Sequence, residues 1–176
     1  MRAALENTIQ IRDLQANEAE TLGQLLVQVY SQLPGFPSPA EQPGYYTMLA
    51  NIGQFTTRPL TQVLVALHDD KLVGGVVYFG DMAQYGSGGT ATSVPNAAGI
   101  RLLAVDPQTR GLGVGKALTA ACIDLARQQQ RAEVVLHTTK AMQVAWAMYE
   151  KLGFARSPDL DFLQGELPVF GFRLTL

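Results

Sequence analysis

The chain has 176 residues, 47% of them hydrophobic, which favours one domain over residues 1–176 with a sizeable buried core. Its net charge of -2 excludes a charge-driven attraction to nucleic acid or to an anionic membrane surface. Its single cysteine, Cys122, excludes an internal disulfide, and no apolar segment is long enough to span a bilayer.

The N-terminal part of the chain predicts a short strand followed by a helix. Met1–Asn7 has no long apolar run, which excludes a signal peptide and makes a cytoplasmic location the expectation. Thr8–Ile11 alternates apolar and polar residues, the pattern of an edge strand. Asn17 is a good N-cap for a helix that ends before Pro34. The apolar face of this helix is Leu22, Leu25, Leu26 and Val29.

A proline-rich loop and a second helix come next. Leu33–Gly44 contains four of the nine prolines and is predicted as a loop, whereas Tyr45–Phe55 is predicted as a helix. Three aromatic residues, Phe36, Tyr45 and Tyr46, either anchor this region or form a wall of a substrate pocket.

The following stretch predicts a hairpin and a long loop. Gln62–Leu67 and Leu72–Phe79 are nearly continuous apolar runs, and His68–Lys71 between them has the composition of a turn. Gly80–Ala98 has few apolar residues, which predicts a mobile, solvent-facing loop. Such a loop either covers an active site or is a plain surface insertion.

The central stretch has the pattern of a strand, a glycine-rich turn and a helix. Leu102–Val105 is apolar, and Pro107 ends the strand because proline cannot donate to a sheet ladder. The helix carries Cys122 on its apolar face, which indicates a small buried hydrophobe rather than a nucleophile. The other residues of that face are Val114, Ala117, Leu118, Ala121 and Leu125.

The glycine-rich turn has the features of an anion-binding site. Glycines let the backbone approach a ligand closely, and the free N–H groups at a helix start lie at the positive end of the helix dipole. Two cations stand at the same place, so we predict that the segment cradles a pyrophosphate. Its residues are Arg110, Gly111, Leu112, Gly113, Val114, Gly115 and Lys116.

The spacing of the glycines argues against two common phosphate-binding motifs. A P-loop needs G-x-x-x-x-G-K-[ST], but Gly111 and Gly115 are one residue too close, and Ala117 replaces the hydroxyl that would bind Mg²⁺. A dinucleotide fingerprint needs G-x-G-x-x-G, but Lys116 occupies the last glycine position.

The C-terminal part predicts a strand, a helix and a terminal strand. Glu133–Thr138 is a strand by its apolar residues, and Gly165–Leu176 alternates as a final strand. Between them lies a helix over Ala141–Leu152, which Thr138 or Thr139 can cap. The order of the elements indicates an α/β protein with a mixed sheet and helices on both faces.

Two motifs carry a resemblance to a known family. Arg110, Gly113 and Gly115 match R-x-x-G-x-G after a strand, and downstream Ala145–Phe154 matches A-x-x-x-Y-E-K-x-G-F. In this order they resemble the motifs of the GNAT superfamily of acyl-CoA-dependent N-acetyltransferases. The resemblance covers nearly the whole chain and implies a mixed, mostly antiparallel central sheet with a splayed strand pair that holds acyl-CoA.

The resemblance also implies a reaction and its participants. An acetyl group would pass directly from acetyl-CoA, the co-substrate, to a primary amine of a small molecule or peptide, without a metal. The co-substrate would lie between Leu102–Val105 and Glu133–Thr138, with its pyrophosphate at the glycine-rich turn. Its pantetheine arm would pair with the backbone of Leu103, Ala104 and Val105.

Tyr149 matches the tyrosine of the second motif, which implies the role of general acid. A free tyrosine titrates near 10, so its phenol is neutral at pH 7 and can protonate the departing thiolate. Backbone N–H groups near Val105 would stabilise the oxyanion. Tyr149 stands off the predicted apolar stripe of its helix, although a packing tyrosine is the alternative. That stripe is Ala141, Ala145, Met148 and Leu152.

Two positions depart from the family pattern. Met142 stands where many members have an asparagine, and Gly99 stands where many have a glutamate that acts as general base. A water relay then replaces that base, or no protein base is needed, or the base is another residue. The candidates are Asp81, Glu41 and His137.

Three classes of function follow from these features. The first is an N-acetyltransferase, and the second is an acyl-CoA-binding regulator without catalysis, which Met142 and Gly99 keep open. The third is a nucleotide-phosphate module, which the glycine spacings disfavour. Arg101 either anchors a carboxylate of the acceptor or has only a structural partner, and a homodimer stays open.

Overall fold

A computed structural model describes residues 8–176 of the protein, so the prediction for Met1–Asn7 lies outside the described residues. The α-helices are α1 (Ala19–Ser31), α2 (Pro43–Ala50), α3 (Val114–Gln128) and α4 (Gln143–Lys151). The strands are β1 (Ile9–Asp13), β2 (Thr61–His68), β3 (Lys71–Phe79), β4 (Ala97–Val105), β5 (Glu133–Thr138), β6 (Ala155–Arg156), β7 (Phe162–Gln164) and β8 (Leu167–Thr175).

The strands form a mixed sheet in the order β1-β2-β3-β4-β5-β8-β6, and β7 pairs with β8. Only β4 and β5 run parallel, and the other neighbours are antiparallel. α1 and α2 pack on one face, whereas α3 and α4 pack on the other. The predicted α/β class, with a mostly antiparallel sheet between two helical layers, is confirmed. No helix in residues 8–176 has the length and apolarity that a membrane crossing needs.

The two parallel strands at the centre of the sheet separate halfway along. Their pairing runs from Ala97 opposite Glu133 to Ile100 opposite Leu136, and then stops although both strands continue. At the same point β4 contains one more residue than β3 opposite it, a β-bulge. Leu102 in the bulge has a φ of 62°, which costs about 1–2 kcal/mol in a residue with a side chain. The predicted splay of these strands is therefore present, and a bulge accompanies it.

The segment before β4 differs from the predicted mobile loop over Gly80–Ala98. β4 begins at Ala97, and the segment folds down onto the sheet through buried side chains instead of facing solvent. These side chains are Met82, Tyr85 and Ala91. They are widely spaced among glycines and polar residues, so the segment shows no apolar period although each of the three fills a place in the core.

Several predicted helix boundaries are also wrong. Asn17 does not cap α1, because a 3₁₀ turn precedes the helix and is closed by a capping box between Gln15 and Glu18. The helix predicted over Tyr45–Phe55 ends as α2 at Ala50 and continues as a 3₁₀ turn over Ile52–Thr57. A capping box, and a 3₁₀ turn that continues a helix, both leave weak signals in the sequence.

The C-terminal elements are shorter and more numerous than predicted. α4 starts at Gln143, so neither Thr138 nor Thr139 caps it, and Met142 occupies the N-cap position. The predicted terminal strand Gly165–Leu176 is β8 alone, with Gly165 at φ 62° in the turn that joins it to β7. β6 and β7 contain only two and three residues, too few to show a period of two.

Candidate active site

The gap between β4 and β5 is lined by backbone groups of the bulged half of β4. The Asp106 N–H donates to the Val73 carbonyl on β3 (2.8 Å), and Ala104 lies opposite Gly75 in the same ladder. Because successive residues of a strand direct their N–H groups to opposite sides, Ala104 faces β3 whereas Leu103 and Val105 face the gap. Of the three residues predicted to contact a pantetheine arm, two therefore present backbone groups to the gap.

One polar group of this edge is already engaged from the other side of the sheet. The Tyr30 hydroxyl, on α1, donates to the Leu103 carbonyl (2.9 Å). Tyr30 is 4% exposed, and its burial raises its pKa well above 10, so it stays protonated and donates. By the same alternation the Val105 N–H faces the widening part of the gap, where no strand within residues 8–176 pairs with it. Sequence reasoning missed Tyr30 because it reads as one more apolar residue of α1.

The glycine-rich turn after β4 presents its backbone to solvent. Gly111 and Gly113 have φ values of 86° and 79°, and a Cβ on either would meet no atom within 4 Å, so the backbone conformation and not space requires glycine. Gly113 is the N-cap of α3. No acceptor within residues 8–176 binds the backbone N–H groups of Gly113, Val114, Gly115 and Lys116. These four N–H groups and the helix dipole form an anion cradle.

A groove of about 610 Å³ continues from this cradle between the start of α3 and α4. Lys116 and Lys151 stand on its two sides, and neither forms an ion pair within the described residues. Gly115 lies where cradle, gap and groove meet, because a Cβ there would be 3.5 Å from both Val105 and Met148. The groove is lined by Lys116, Gln143, Val144, Ala147, Met148, Lys151 and Leu152.

Tyr149 is the buried residue of α4, so the prediction that it stands off the packing face of the helix is wrong. It is 5% exposed, and its ring lies 5.8 Å from that of Phe154. Val144, one turn earlier, is 80% exposed. A tyrosine ring carries more apolar area than the alanines of the predicted stripe, so burying the ring determines how α4 is rotated.

The hydroxyl of Tyr149 nevertheless makes no hydrogen bond within residues 8–176, and it is not sealed from solvent. Burial raises the pKa of Tyr149 above its ordinary value. Burial also raises the pKa values of Tyr30 and Tyr85, and proximity to Tyr149 adds to both effects. A protonated, unpartnered phenol therefore lies at the edge of the cleft that contains Tyr30 and Tyr85.

The predicted candidates for a general base are all engaged in structural contacts. The Leu160 carbonyl accepts from Nε2 of His137 (2.8 Å), which fixes the tautomer, and Nδ1 then accepts from the Tyr85 hydroxyl (2.8 Å). Burial lowers the pKa of His137, so the imidazole is neutral at pH 7 with both nitrogens occupied. Asp81 accepts from the Ala83 N–H near Asn96, at the end of β4 away from the gap. Glu41 accepts from the Ser38 N–H.

The position of the usual family glutamate, Gly99, is filled by another side chain. A Cβ on Gly99 would lie 2.3 Å from the ring of Tyr85 and 2.9 Å from the sulfur of Met82. Any larger residue there would displace Tyr85 and break its hydrogen bond to His137. Met142, at the usual asparagine position, packs on the core beneath α1 and α2. Both departures are therefore built into the packing.

The loop after α1 and strand β7 are joined by a pair of glutamines. The loop after α1 carries Gln42, and Gln164 is the last residue of β7. The Gln164 side-chain amide donates to Oε1 of Gln42 (2.5 Å), and the Gln42 side-chain amide donates to the Gln164 backbone carbonyl (3.3 Å). The loop packs on Tyr30 through Phe36, with ring centroids 5.4 Å apart. The strand belongs to the β5–β8 side of the gap. This glutamine clasp therefore bridges the two sides.

The predicted roles of two further groups have clear outcomes. Cys122 is fully buried, and burial raises the pKa of its thiol, in agreement with a packing role. Phe36, Tyr45 and Tyr46 form one aromatic cluster with Tyr30, and the Tyr46 hydroxyl anchors the loop by donating to the Pro37 carbonyl (2.6 Å). Of the two roles that the sequence left open for these three residues, the anchoring contacts are present in the structure.

A model of the Acetyltransferase (GNAT) family matches residues 26–154, which are most of the chain. The chain therefore belongs to the GNAT family of acetyltransferases. Mycothiol acetyltransferase of Salinispora arenicola is 43% identical over 63 residues, 35% of this chain and 20% of that protein. N-alpha-acetyltransferase 30 of Schizosaccharomyces pombe is 33% identical over 92 residues, 52% of this chain and 56% of that protein. The chain thus matches only part of either relative.

Solved structures share the fold over nearly the whole chain. The PaiA N-acetyltransferase of Thermoplasma acidophilum, in complex with coenzyme A, superposes with a TM-score of 0.74 at 17% identity and covers 96% of this chain and 99% of its own. YncA of Salmonella typhimurium, with acetyl-CoA, has a TM-score of 0.64 at 16% identity and covers 96% of this chain and 94% of its own. At these identities the likeness shows the GNAT fold.

Proposed function

We propose that residues 1–176 act as one domain that transfers an acetyl group from acetyl-CoA to a primary amine of a small molecule or peptide. The observation that carries this proposal is the continuity of gap, cradle and groove around Gly115. Free N–H groups, an anion-binding helix start and two lysines follow one another along a single path. That order matches a ligand with an acyl arm, a pyrophosphate and a further phosphorylated end.

The residues of this path fit acetyl-CoA in three places. The pyrophosphate would be held by the four free N–H groups from Gly113 to Lys116. The pantetheine arm would add to β4 through Leu103 and Val105, as an extended peptide adds to a sheet edge. The far end would lie in the groove, where Lys116 and Lys151 supply positive charge.

The same residues can assist the transfer itself. A backbone N–H group that faces the gap, that of Leu103 or Val105, would stabilise the negative charge that develops on the thioester oxygen as the amine adds. Tyr149 would protonate the departing thiolate, because its phenol stays protonated and its hydroxyl has no competing partner within residues 8–176. Because burial raises the pKa of Tyr149, the phenol is a weak acid, and the proton passes to the sulfur only as the thiolate forms.

We assign no residue as the general base that would deprotonate the acceptor amine. His137, Asp81 and Glu41 are engaged, and Tyr85 fills the space above Gly99. We infer that the acceptor enters as the free amine from solution. This arrangement also keeps the alternative function open, an acyl-CoA-binding regulator without catalysis.

The cleft favours an acceptor that is small or that ends in an amine. In the proposed arrangement the glutamine clasp of Gln42 and Gln164, which joins the loop after α1 to β7, would border the entrance for the acceptor. A lysine on a folded protein would have to pass beneath this bridge, whereas a small molecule or a peptide terminus needs only a short reach. Localisation in the cytoplasm fits such acceptors and is part of the proposal.

The proposed function is tested by incubating the purified chain with acetyl-CoA and a panel of amines. Thiol release is followed together with the acetylated product by mass spectrometry, at pH 7 and pH 9. We expect amine-dependent thiol release with matching product, faster at pH 9 because more of each amine is unprotonated. Tight acetyl-CoA binding with no product from any amine would support the regulator instead.

A further inference from the structure

Arg101 occupies the last position of β4 before it separates from β5. It follows Ile100, the final residue paired with β5, and it precedes the bulge at Leu102. Its side chain is half-buried on the face that carries Tyr30 and Tyr45. In both tyrosines burial raises the pKa, and the positive charge of Arg101 lowers it again in part. The guanidinium thus lies among the tyrosines at the mouth of the gap.

The guanidinium of Arg101 has no carboxylate partner within residues 8–176. Its one hydrogen bond there is from Nη1 to the Tyr85 carbonyl (2.7 Å). The group also lies 5.7 Å from the centre of the Tyr85 ring. Since an arginine has five N–H donors, most of the planar fork stays available for a bidentate ligand.

A second arginine approaches the same place. Arg58 donates to the Gln84 carbonyl (3.3 Å), and it too has no carboxylate partner in the described part of the chain. The point that a Cβ on Gly86 would occupy is 3.4 Å from Nη1 of Arg101 and 3.8 Å from Nη1 of Arg58. Two like charges this close repel each other unless an anion lies between them.

We propose that Arg101, with Arg58 in support, binds a carboxylate of the acceptor, so that the preferred acceptors are amines that carry a free carboxylate, such as amino acids. The inference rests on the proposed acetyl transfer and names the acceptor class of that same site. A carboxylate matches the fork of Arg101 and neutralises both arginines. The half-buried Tyr45 ring near Arg101 favours an acceptor with an apolar side chain.

The test compares phenylalanine with phenylalaninamide and 2-phenylethylamine, which keep the amine and lose the carboxylate. With rates expressed per unprotonated amine, we expect kcat/KM for phenylalanine to be at least about 10-fold higher than for the other two. Arg101→Gln should lower the phenylalanine value by about 10- to 100-fold, the range for hydrogen bonds to a charged group, and leave the others within about 2-fold. Arg101→Lys should recover part of the loss because it restores the charge.

Arg58→Gln should have the same selective effect at a smaller size, about 3-fold. Arg127→Gln is the matched control, because Arg127 is exposed on α3 beside Asp124, away from the cleft. Arg127→Gln should leave kcat/KM unchanged for all three acceptors. An equal loss for all three acceptors in folded Arg101→Gln would assign Arg101 a structural role and overturn the proposal.

Equilibrium binding separates this inference from the proposed function. Calorimetric titration of the CoA-saturated protein compares N-acetylphenylalanine with N-acetylphenylalaninamide. We expect the carboxylate to bind at least about 10-fold more tightly, and Arg101→Gln to remove the difference. If no amine is acetylated, the proposed function fails, yet this titration still decides on the carboxylate site. Equal binding of the two ligands to the unmodified protein overturns it.

Discussion

The proposed donor side of the cleft comes mainly from one unbroken segment, residues 102–116, with the second wall of its groove on α4. The proposed acceptor side is assembled from side chains on several separate elements. The donor side works through backbone groups, namely the Val105 N–H and the four N–H groups that begin α3. The acceptor side depends on Tyr30, Arg101 and His137, which packing brings together. A backbone site tolerates many side chains and needs particular φ values, whereas a side-chain site depends on each neighbour.

Tyr149→Phe addresses the chemical step between the two sides and carries the largest expected effect. The substitution keeps the ring that packs on Phe154 and removes only the unpartnered hydroxyl. General acid assistance is typically worth 10²–10⁴-fold, so we expect kcat to fall by about 10²-fold or more. Acetyl-CoA affinity measured by calorimetry should stay within about 2-fold, because the hydroxyl acts in the transition state.

Tyr46→Phe is the control for Tyr149→Phe. It also removes a hydroxyl from a buried tyrosine, but that hydroxyl donates to the Pro37 carbonyl within the loop after α1. Its turnover should match that of the unmodified enzyme. Unchanged turnover in a folded Tyr149→Phe protein would make Tyr149 a packing residue, with the thiolate taking its proton from water.

Lys116→Gln and Lys151→Gln examine the outer part of the donor side. Each removes one charge from the groove between α3 and α4. We expect acetyl-CoA to bind about 3- to 10-fold more weakly to each variant, and the difference to shrink in high salt because exposed charges are screened. Lys71→Gln, on the exposed β2–β3 turn, should leave the affinity unchanged. Equal effects at all three positions would mean a general charge effect and not a groove site.

The sequence was sufficient to predict most of the local backbone structure of the proposed donor side. The glycine spacing and the position of Pro107 identify the turn, and a helix start after glycines has direct consequences for the backbone. The family resemblance predicted the splay of β4 and β5. The free N–H groups depend on local conformation alone, which is why a contiguous motif predicts them.

The side-chain contacts of the proposed acceptor side could not be predicted from the sequence. Tyr85 stands alone between glycines and polar residues, so nothing local shows that its ring fills the space above Gly99 or that its hydroxyl reaches His137. The engagement of both His137 nitrogens requires Leu160, which is 23 residues away. The burial of Tyr149 was also missed, because the rotation of α4 is decided by burying the Tyr149 ring against Phe154 in the core, and the pattern of apolar residues within α4 does not show this.

The Tyr85–His137 pair predicts how stability depends on pH. The pKa of His137 is lowered in the folded protein by burial, whereas an unfolded histidine titrates near 6.5. Above pH 7 His137 is neutral in both the folded and the unfolded state. Below about pH 6.5 the unfolded state binds a proton at His137 that the folded state does not, so the protein becomes less stable as the pH is lowered. We expect up to about 1 kcal/mol of this loss between pH 7 and pH 5.5.

Urea unfolding of the unmodified protein and of two variants measures this dependence. His137→Gln can still accept from Tyr85 and donate to Leu160, and it should flatten the curve in that range. Tyr46→Phe, which removes one hydroxyl hydrogen bond far from His137, should lower stability by the same amount at every pH in that range. A curve that His137→Gln does not flatten would assign the loss to other groups.

Tyr30→Phe has the smallest expected effect and acts where the two sides meet. It removes the hydrogen bond to the Leu103 carbonyl at the edge of the gap. The loss should be about 1 kcal/mol in the free energy of unfolding, the usual net worth of one hydrogen bond. Tyr46→Phe should cost a similar amount. Only Tyr30→Phe should also alter acetyl-CoA affinity, by about 2- to 5-fold, because it frees an acceptor that faces the gap.

The central claim is that acetyl-CoA binds with its pyrophosphate on the free N–H groups at the start of α3. Calorimetric titration of acetyl-CoA into the unmodified protein, Gly113→Asn and Gly113→Asp tests it directly. Asparagine tolerates the φ of 79° and adds no charge, and a side chain at Gly113 has open space, so this variant should bind within about 10-fold of the unmodified protein. Aspartate has nearly the same shape and adds a negative charge beside the phosphates, so its affinity should fall by at least about 100-fold. Equal affinities of folded Gly113→Asp and Gly113→Asn would contradict the assignment of the cradle.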